Sequence, residues 1–267
     1  MNNFAVADGP HVSIVAEKMF TVFGIPVTNS MLLGALAYTT LIILALLLAR
    51  AVSKGSTSRP VVMGQWAFEM LLNMTEDVLG DKKLARRVAP LAITIFFAVI
   101  FNNWFGVLPG VGSIEYGGQP LFRGLAADLN FTFGLAVVTM VSVQVYAIKQ
   151  HGFFGNAGRY LINPLKDPIG GFEGILEFVG EFSRFVALSM RLFGNVFGGE
   201  VLLSVIAYLS GWAGFLPLPI FMGFELFVGA LQAFVFYILT VIFISLAVSH
   251  GHSDAHESHS KEQPVNA

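Results

Sequence analysis

The chain has no cysteine among its 267 residues, which excludes disulfides, thiolate metal sites and thiol nucleophiles. Charge is also scarce. Asp, Glu, Lys and Arg make up 12% of the sequence, against about a quarter in soluble domains. So little charge cannot cover a water-facing globule of this length, so most of the surface must face lipid. No dense basic face stands apart from the loops, which argues against nucleic acid as a partner. No glycine-rich loop closing on lysine is present to cradle nucleotide phosphates. The first 30 residues lack a basic start, an apolar core and a small-residue cleavage site, so no cleaved signal peptide is expected. Internal repeats are absent.

What is abundant is apolar sequence: 55% of residues are hydrophobic and the mean hydropathy is +0.72. Crossing about 30 Å of hydrocarbon takes about 20 apolar residues in a helix. Five stretches qualify: about 31–49, 89–108, 130–148, 171–208 and 215–249. The last two exceed a perpendicular span, so strongly tilted or bent helices are expected, joined as a hairpin through Gly211 to Pro219. Between the first two spans, Gln65, Glu69, Asn73, Glu76 and Asp77 recur at helical spacing within 61–88. Trp66, Met70, Leu71, Met74 and Val78 fall largely elsewhere on that helix, which predicts an amphipathic helix at the interface. The expected fold class is therefore an all-α integral membrane protein of five crossing helices and one interfacial helix. Its predicted organisation is an outside N-terminal segment (1–30), a single membrane domain (31–249) and a disordered cytoplasmic tail (250–267). That tail holds His250, His252, His256 and His259 and reads as a solvated terminus rather than a metal tract. Placing the N-terminus outside puts eleven of the fifteen Lys and Arg on the cytoplasmic side. Only Lys18 and Arg123 then lie outside, and Arg184 and Arg191 lie in the fourth span, so N-out, C-in follows.

Charges inside a span are rare, costly and usually functional. The fourth span holds Glu173, Glu177, Glu181, Arg184, Arg191 and Glu200, and an arginine at mid-helix costs about 2.5–3.5 kcal/mol even on the lenient insertion scale. At 100° per residue, Arg184 lies about 20° from Arg191, and Glu177 and Asn195 about 40° from it, forming one stripe. Glu200 points about 180° away, about 13.5 Å further along. In the last span Glu225 and Gln232 share a face. An antiparallel hairpin would bring Glu225 toward Glu200 and Gln232 toward Arg191. Plainer readings compete. Arg184 is near enough to the cytoplasmic end to snorkel, whereas Arg191, flanked by Leu188, Met190, Leu192 and Phe193, is not. The two acids could be structural ion-pair members, and Asn195 and Gln232 plain interhelical hydrogen-bonding groups. Gly194, Gly198 and Gly199 would permit close helix approach.

The run Ser189-Met190-Arg191-Leu192-Phe193-Gly194-Asn195, followed by Gly199-Glu200, closely resembles the signature of subunit a of F-type ATP synthases. Leu231-Gln232-Ala233-Phe234-Val235-Phe236 resembles that family's last-helix motif. Asn103-Trp104, Gly106 with Leu108-Pro109, and Ala127-Asp128-Leu129-Asn130 add weaker matches. The resemblance covers nearly the whole chain. It implies that Arg191 is a stator arginine facing a ring of c subunits, and that Glu200 and Glu225 belong to the proton-access path with Asn195 and Gln232 as polar neighbours. It further implies that Glu177 and Arg184 sit toward the cytoplasmic exit. Some members of the family carry histidine where Glu225 stands.

The implied partners are the c ring, b-type peripheral stalk subunits, the rest of the complex and the lipid bilayer. No cofactor or metal is implied, and nucleotide chemistry falls to other subunits, so this chain is a non-catalytic proton-channel part. Without a transit peptide, a bacterial inner membrane is favoured over a mitochondrial one. A secondary ion-coupled transporter is the alternative, but paired repeats with broken helices are its usual mark, and neither appears. A purely structural scaffold would have no reason to place Arg191, Glu200 and Glu225 at depth.

Overall fold

Helices begin where an apolar run meets a residue that can cap it. Thr28 accepts from the Met31 N–H at 3.4 Å and opens α1 (Asn29–Ser53). A computed structural model of the chain describes residues 13, 16–22, 24–111, 114–116, 119–160 and 168–260, without the side chains of 22, 25, 115, 116, 119, 151, 153–160, 168–171, 173, 212 and 249–260. Helices α2 (Arg59–Leu79), α3 (Lys82–Gly106), α4 (Leu129–Tyr160), α5 (Pro168–Ser210) and α6 (Pro217–Ser260) follow. Two short antiparallel pairs are β1 (Lys18–Val22) with β2 (Ile25–Thr28), and β3 (Glu115–Tyr116) with β4 (Gln119–Pro120). Much of the outside segment and the end of the tail (261–267) lie outside the described residues, as do the tail histidine side chains.

Among the described residues five helical stretches are long and apolar enough to cross a membrane: Asn29–Ser53, Lys82–Gly106, Leu129–Gln150, Gly174–Ser210 and Ala213–Val248. These are the five spans read from the sequence, and the protein is an all-α membrane protein. The helix α2 is not among them. The interfacial stretch expected over 61–88 stops at Leu79, because Gly80 turns at φ +69°, a conformation that favours glycine. Asp81 then starts a new helix, its Oδ1 accepting from the Lys83 N–H at 2.8 Å. Residues 82–88 therefore begin α3 and feed directly into the second span. In α4 the helix is interrupted at Gly152, at φ +76°, close to where the sequence ends its apolar run.

The chain forms two compact units. One comprises residues 1–64, 95–132 and 190–235; the other comprises 65–94, 133–189 and 236–267. In the first, α1 lies against the 3₁₀ turn Leu125–Ala127, and a Cβ on Gly34 would strike the end of the Leu125 side chain, so glycine lets that leucine seat against the helix. Buried Asn29 ties the N-terminal hairpin down. Its Oδ1 accepts from the Glu17 N–H at 3.2 Å, and its Nδ2 donates to the Pro120 carbonyl at 3.2 Å. Ser30 Oγ donates to Asp128 Oδ2 at 3.2 Å. One face of α1 exposes Leu36, Ile42, Ile43, Leu46 and Leu47, a surface that suits lipid tails and not water.

In the second unit Val88, Val143, Ala147, Ile244 and Ala247 form a core from α3, α4 and α6. Several polar groups around and beside it are paired, which matters most where they are buried. Gln144 Nε2 donates to Glu181 Oε2 at 2.7 Å, and Tyr146 Oη donates to the Arg87 carbonyl at 2.7 Å. Tyr237, fully buried, donates to the Leu71 carbonyl at 2.5 Å and shares a hydrogen bond with Thr75 Oγ1 at 2.7 Å. Thr75 also donates to that carbonyl, so removing the phenol hydroxyl leaves the carbonyl satisfied. Tyr237→Phe is expected to cost about 1–2 kcal/mol, read as a lowered midpoint in thermal denaturation of the purified complex, with proton transport retained.

Candidate functional site

The site lies wholly within the first unit. Its long elements are the end of α3, the residues 190–210 of α5 and the residues 217–235 of α6, with the loop 121–124 beside them. Two hydrogen bonds lock α3 to α6 backbone carbonyls: Asn103 Nδ2 donates to the Gly229 carbonyl and Trp104 Nε1 to the Leu226 carbonyl, both at 3.1 Å. Buried Leu192, Val196 and Gly199 form the inner face of this length of α5. The outer face, with Arg191, Gly194, Asn195, Gly198 and Leu202, is exposed.

Arg191 stands on that outer face. Among the described residues it has neither a hydrogen-bond nor an ion-pair partner. A Cβ added at Gly194 or Gly198 would meet nothing within 4 Å, so the arginine is set on a smooth, small-residue strip with room for an outside group. One turn along, Asn195 Nδ2 donates to Gln232 Oε1 at 2.7 Å. The hairpin expected from sequence is present, but Gln232 reaches Asn195 rather than Arg191. The guanidinium is thereby left free of the amide.

The acids gather on the inner side. The Glu225 carboxyl lies directly against the α5 backbone at Gly199, where a Cβ would overlap both of its oxygens. Glu200 and Glu225 border a common void of about 10 Å³, closed by Asn103, Val107, Val196 and Leu203. That is roughly the room a single water molecule requires. On its other side Glu200 lines a cavity of about 510 Å³ together with Glu17, Asn29, Arg123, Phe197 and Tyr208. The two spaces share Gly106, Val107, Glu200 and Leu203 in their walls. Glu200 thus borders both a large cavity and a water-sized gap, with Glu225 on the gap as well.

Sequence reasoning treated Arg123 only as a charge on the outside. It is buried at 8% exposure, with its Nε 3.4 Å from Glu200 Oε2. The guanidinium also donates to the Ala127 carbonyl at 3.4 Å and lies 5.8 Å from the Phe197 ring centroid. A lone base directly before the apolar run Gly124 to Ala127 was the available signal.

Of the remaining predicted residues, Glu177 and Arg184 lie on α5 in the other unit. Arg184 stacks its guanidinium 5.5 Å from the Phe243 ring centroid. Among the described residues no group of three or more His, Asp or Glu is arranged to hold a metal.

A family model, the ATP synthase A chain, matches residues 31–245. The ATP synthase subunit a of Desulforamulus reducens is 33% identical over 218 residues, covering 78% of this chain and 76% of the relative. That of Mycobacterium leprae is 31% identical over 252 residues, 91% of this chain and 96% of the relative. That of Mycobacterium tuberculosis is 34% identical over 227 residues, 83% and 87% of the two chains. The chain therefore belongs to the ATP synthase A chain family, the multi-pass membrane subunits that serve proton transport in F-type ATP synthases.

Proposed function

We propose that this chain is the stationary half of a rotary proton turbine. Two aqueous half-channels, one from each side of the membrane, end at different points on a rotating ring of c subunits. The access path runs through the cavity of about 510 Å³ to Glu200, across the water-sized gap to Glu225, and on to a rotor carboxylate. Glu200 takes a proton on its carboxylate and passes it to Glu225 through a bridging water, so each acid returns to its starting state. The paired amides of Asn195 and Gln232 fix the helix register between Glu225 and the outer face. Glu177 and Arg184 border the exit on the cytoplasmic side.

The observation that carries this reading is the exposed Arg191 in the middle of a membrane span, without a partner among the described residues. A buried-depth cation facing outward without a partner of its own needs an anion from another chain. A passing rotor carboxylate supplies one. Because arginine stays protonated in proteins, it also bars protons from crossing directly between the half-channels.

Charge distribution supports an N-terminus outside and a cytoplasmic C-terminus, with residues 1–30 outside, 31–249 as the membrane domain and 250–267 as a solvated tail; the membrane proposed is a bacterial inner membrane. The b-type stalk subunits hold the chain against rotation. The complex extracted in mild detergent through a tag on this chain should carry a ring of small helical hairpins; a chain recovered intact with the other subunits but with no ring would sink the reading. Glu200→Gln is expected to lower proton translocation about a hundredfold, since it removes a proton-transfer group, with assembly unchanged. Normal flux in reconstituted vesicles would count against Glu200 as the access acid.

A further inference from the structure

Glu200 does not hang freely in the cavity wall. Its Oε1 accepts from the Gly124 N–H at 2.8 Å, and its Oε2 faces Arg123 Nε at 3.4 Å. Both contacts come from consecutive residues of one loop, outside the helix that carries the acid. We infer that Arg123 and Gly124 form a two-point cradle that positions the Glu200 carboxylate at the floor of the cavity for proton entry, with Arg123 as a positioning residue. The inference rests on Glu200 being the access acid.

The exposures of the two partners separate this from a plain structural ion pair. The Arg123 side chain is 9% exposed and that of Glu200 is 26% exposed. The arginine is part of the wall, held by the Ala127 carbonyl and the Phe197 ring, while the acid keeps an open side toward both spaces. A fixed cation and a fixed N–H on a rigid turn orient a carboxylate in a way a mobile partner would not, and such charge-assisted contacts are stronger than neutral ones. Gly124 is required for the second point. A Cβ there would lie 2.7 Å from Glu200 Oε1, and the atom it strikes is the flexible end of the acid. Alanine at 124 would therefore displace the carboxylate while leaving the fold and both charges in place. The cation next to the acid also answers why a carboxylate is tolerated at this depth.

The test uses the complete complex reconstituted in liposomes, with passive proton flux through the membrane sector driven by a potassium diffusion potential after removal of the catalytic head. Gly124→Ala and Arg123→Gln should each lower flux about tenfold or more, with normal assembly for Gly124→Ala. Arg123→Lys, which keeps a cation in the wall, should recover flux to within about threefold of the unsubstituted complex. Adding either substitution to Glu200→Gln should cost nothing further, because both act through that acid. If Glu200→Gln blocks flux while Gly124→Ala and Arg123→Gln conduct normally, the cradle is wrong and the access acid stands. If Glu200→Gln itself conducts normally, the underlying reading fails first. Losses that multiply in the double variants would also overturn the cradle, since they would mean a separate structural role for the loop. Should Arg123→Gln fail to assemble, Gly124→Ala decides the question alone.

Discussion

Arg191→Ala is expected to abolish ATP-driven proton pumping in inverted vesicles, with ATP hydrolysis by the catalytic subunits continuing uncoupled. The expectation follows from where the guanidinium stands. It lies within the fourth span, on the outer face of α5, with no partner among the described residues. Along residues 191–202 of that face no other described residue carries charge: its neighbours are Gly194, Asn195, Gly198 and Leu202. Alanine there leaves a continuous apolar and amide surface. A rotor carboxylate then has no reason to stay ionised as it passes, and protons have no fixed barrier between the half-channels.

Magnitude also limits how tightly Arg191 should hold its partner. One charge crossing 100 mV gains about 2.3 kcal/mol, and a dry bidentate arginine–carboxylate pair could exceed that and stall the rotor. The glycines beside Arg191 leave open space, which suits a hydrated or poorly aligned contact. A structure of the complex showing a water-free bidentate pair at every rotor position would contradict this. Arg191→Lys separates charge from chemistry. An ammonium begins with the same charge, yet it can lose its proton when desolvated, so coupling should still collapse. Pumping is read as quenching of a pH-sensitive dye on ATP addition; retained coupled quenching in either variant would remove Arg191 from the mechanism.

Much of this arrangement is visible in the sequence because membrane burial makes polarity conspicuous. Arg191, Glu200, Glu225 and Gln232 stand out as isolated polar residues in long apolar runs, and the same runs mark the five spans to within a few residues at most ends. What escapes is whatever tertiary packing creates. Arg123 sits between spans, so its burial depends on the loop folding under α5 and on Phe197, neither of which periodicity reports. Gln232 was expected beside Arg191 from the antiparallel run of the hairpin, which does not distinguish Arg191 from Asn195, one turn on and about 40° round. A shift of about one turn along the helices decides between them, and the structure pairs Gln232 with Asn195. The polar spacing of the interfacial helix ran across Gly80 without a break. A left-handed glycine followed by an aspartate cap ended that helix nine residues early, at Leu79 instead of 88.

Gly199→Val is expected to reduce proton translocation about a hundredfold, the scale of loss that a misplacement of about 1 Å can produce at a reacting centre. The Glu225 carboxyl presses on the α5 backbone where any Cβ at position 199 would stand. It cannot retreat toward Glu200, because the gap between the acids holds only about 10 Å³. Its alternative is to swing outward, away from Glu200. Both charges survive this substitution and helix α5 loses nothing, since valine costs less than glycine in a helix interior. A loss of flux therefore isolates geometry from charge. Gly180→Ala, on the same helix and with open space around the added methyl, should conduct normally and serves as the control. Combining Gly199→Val with Glu225→Gln should be no worse than Glu225→Gln alone, because the valine acts only by moving that carboxyl. If Gly199→Val conducts at the unsubstituted rate, the close seat of Glu225 on α5 is incidental to proton passage, and the route from Glu200 to the rotor must bypass it.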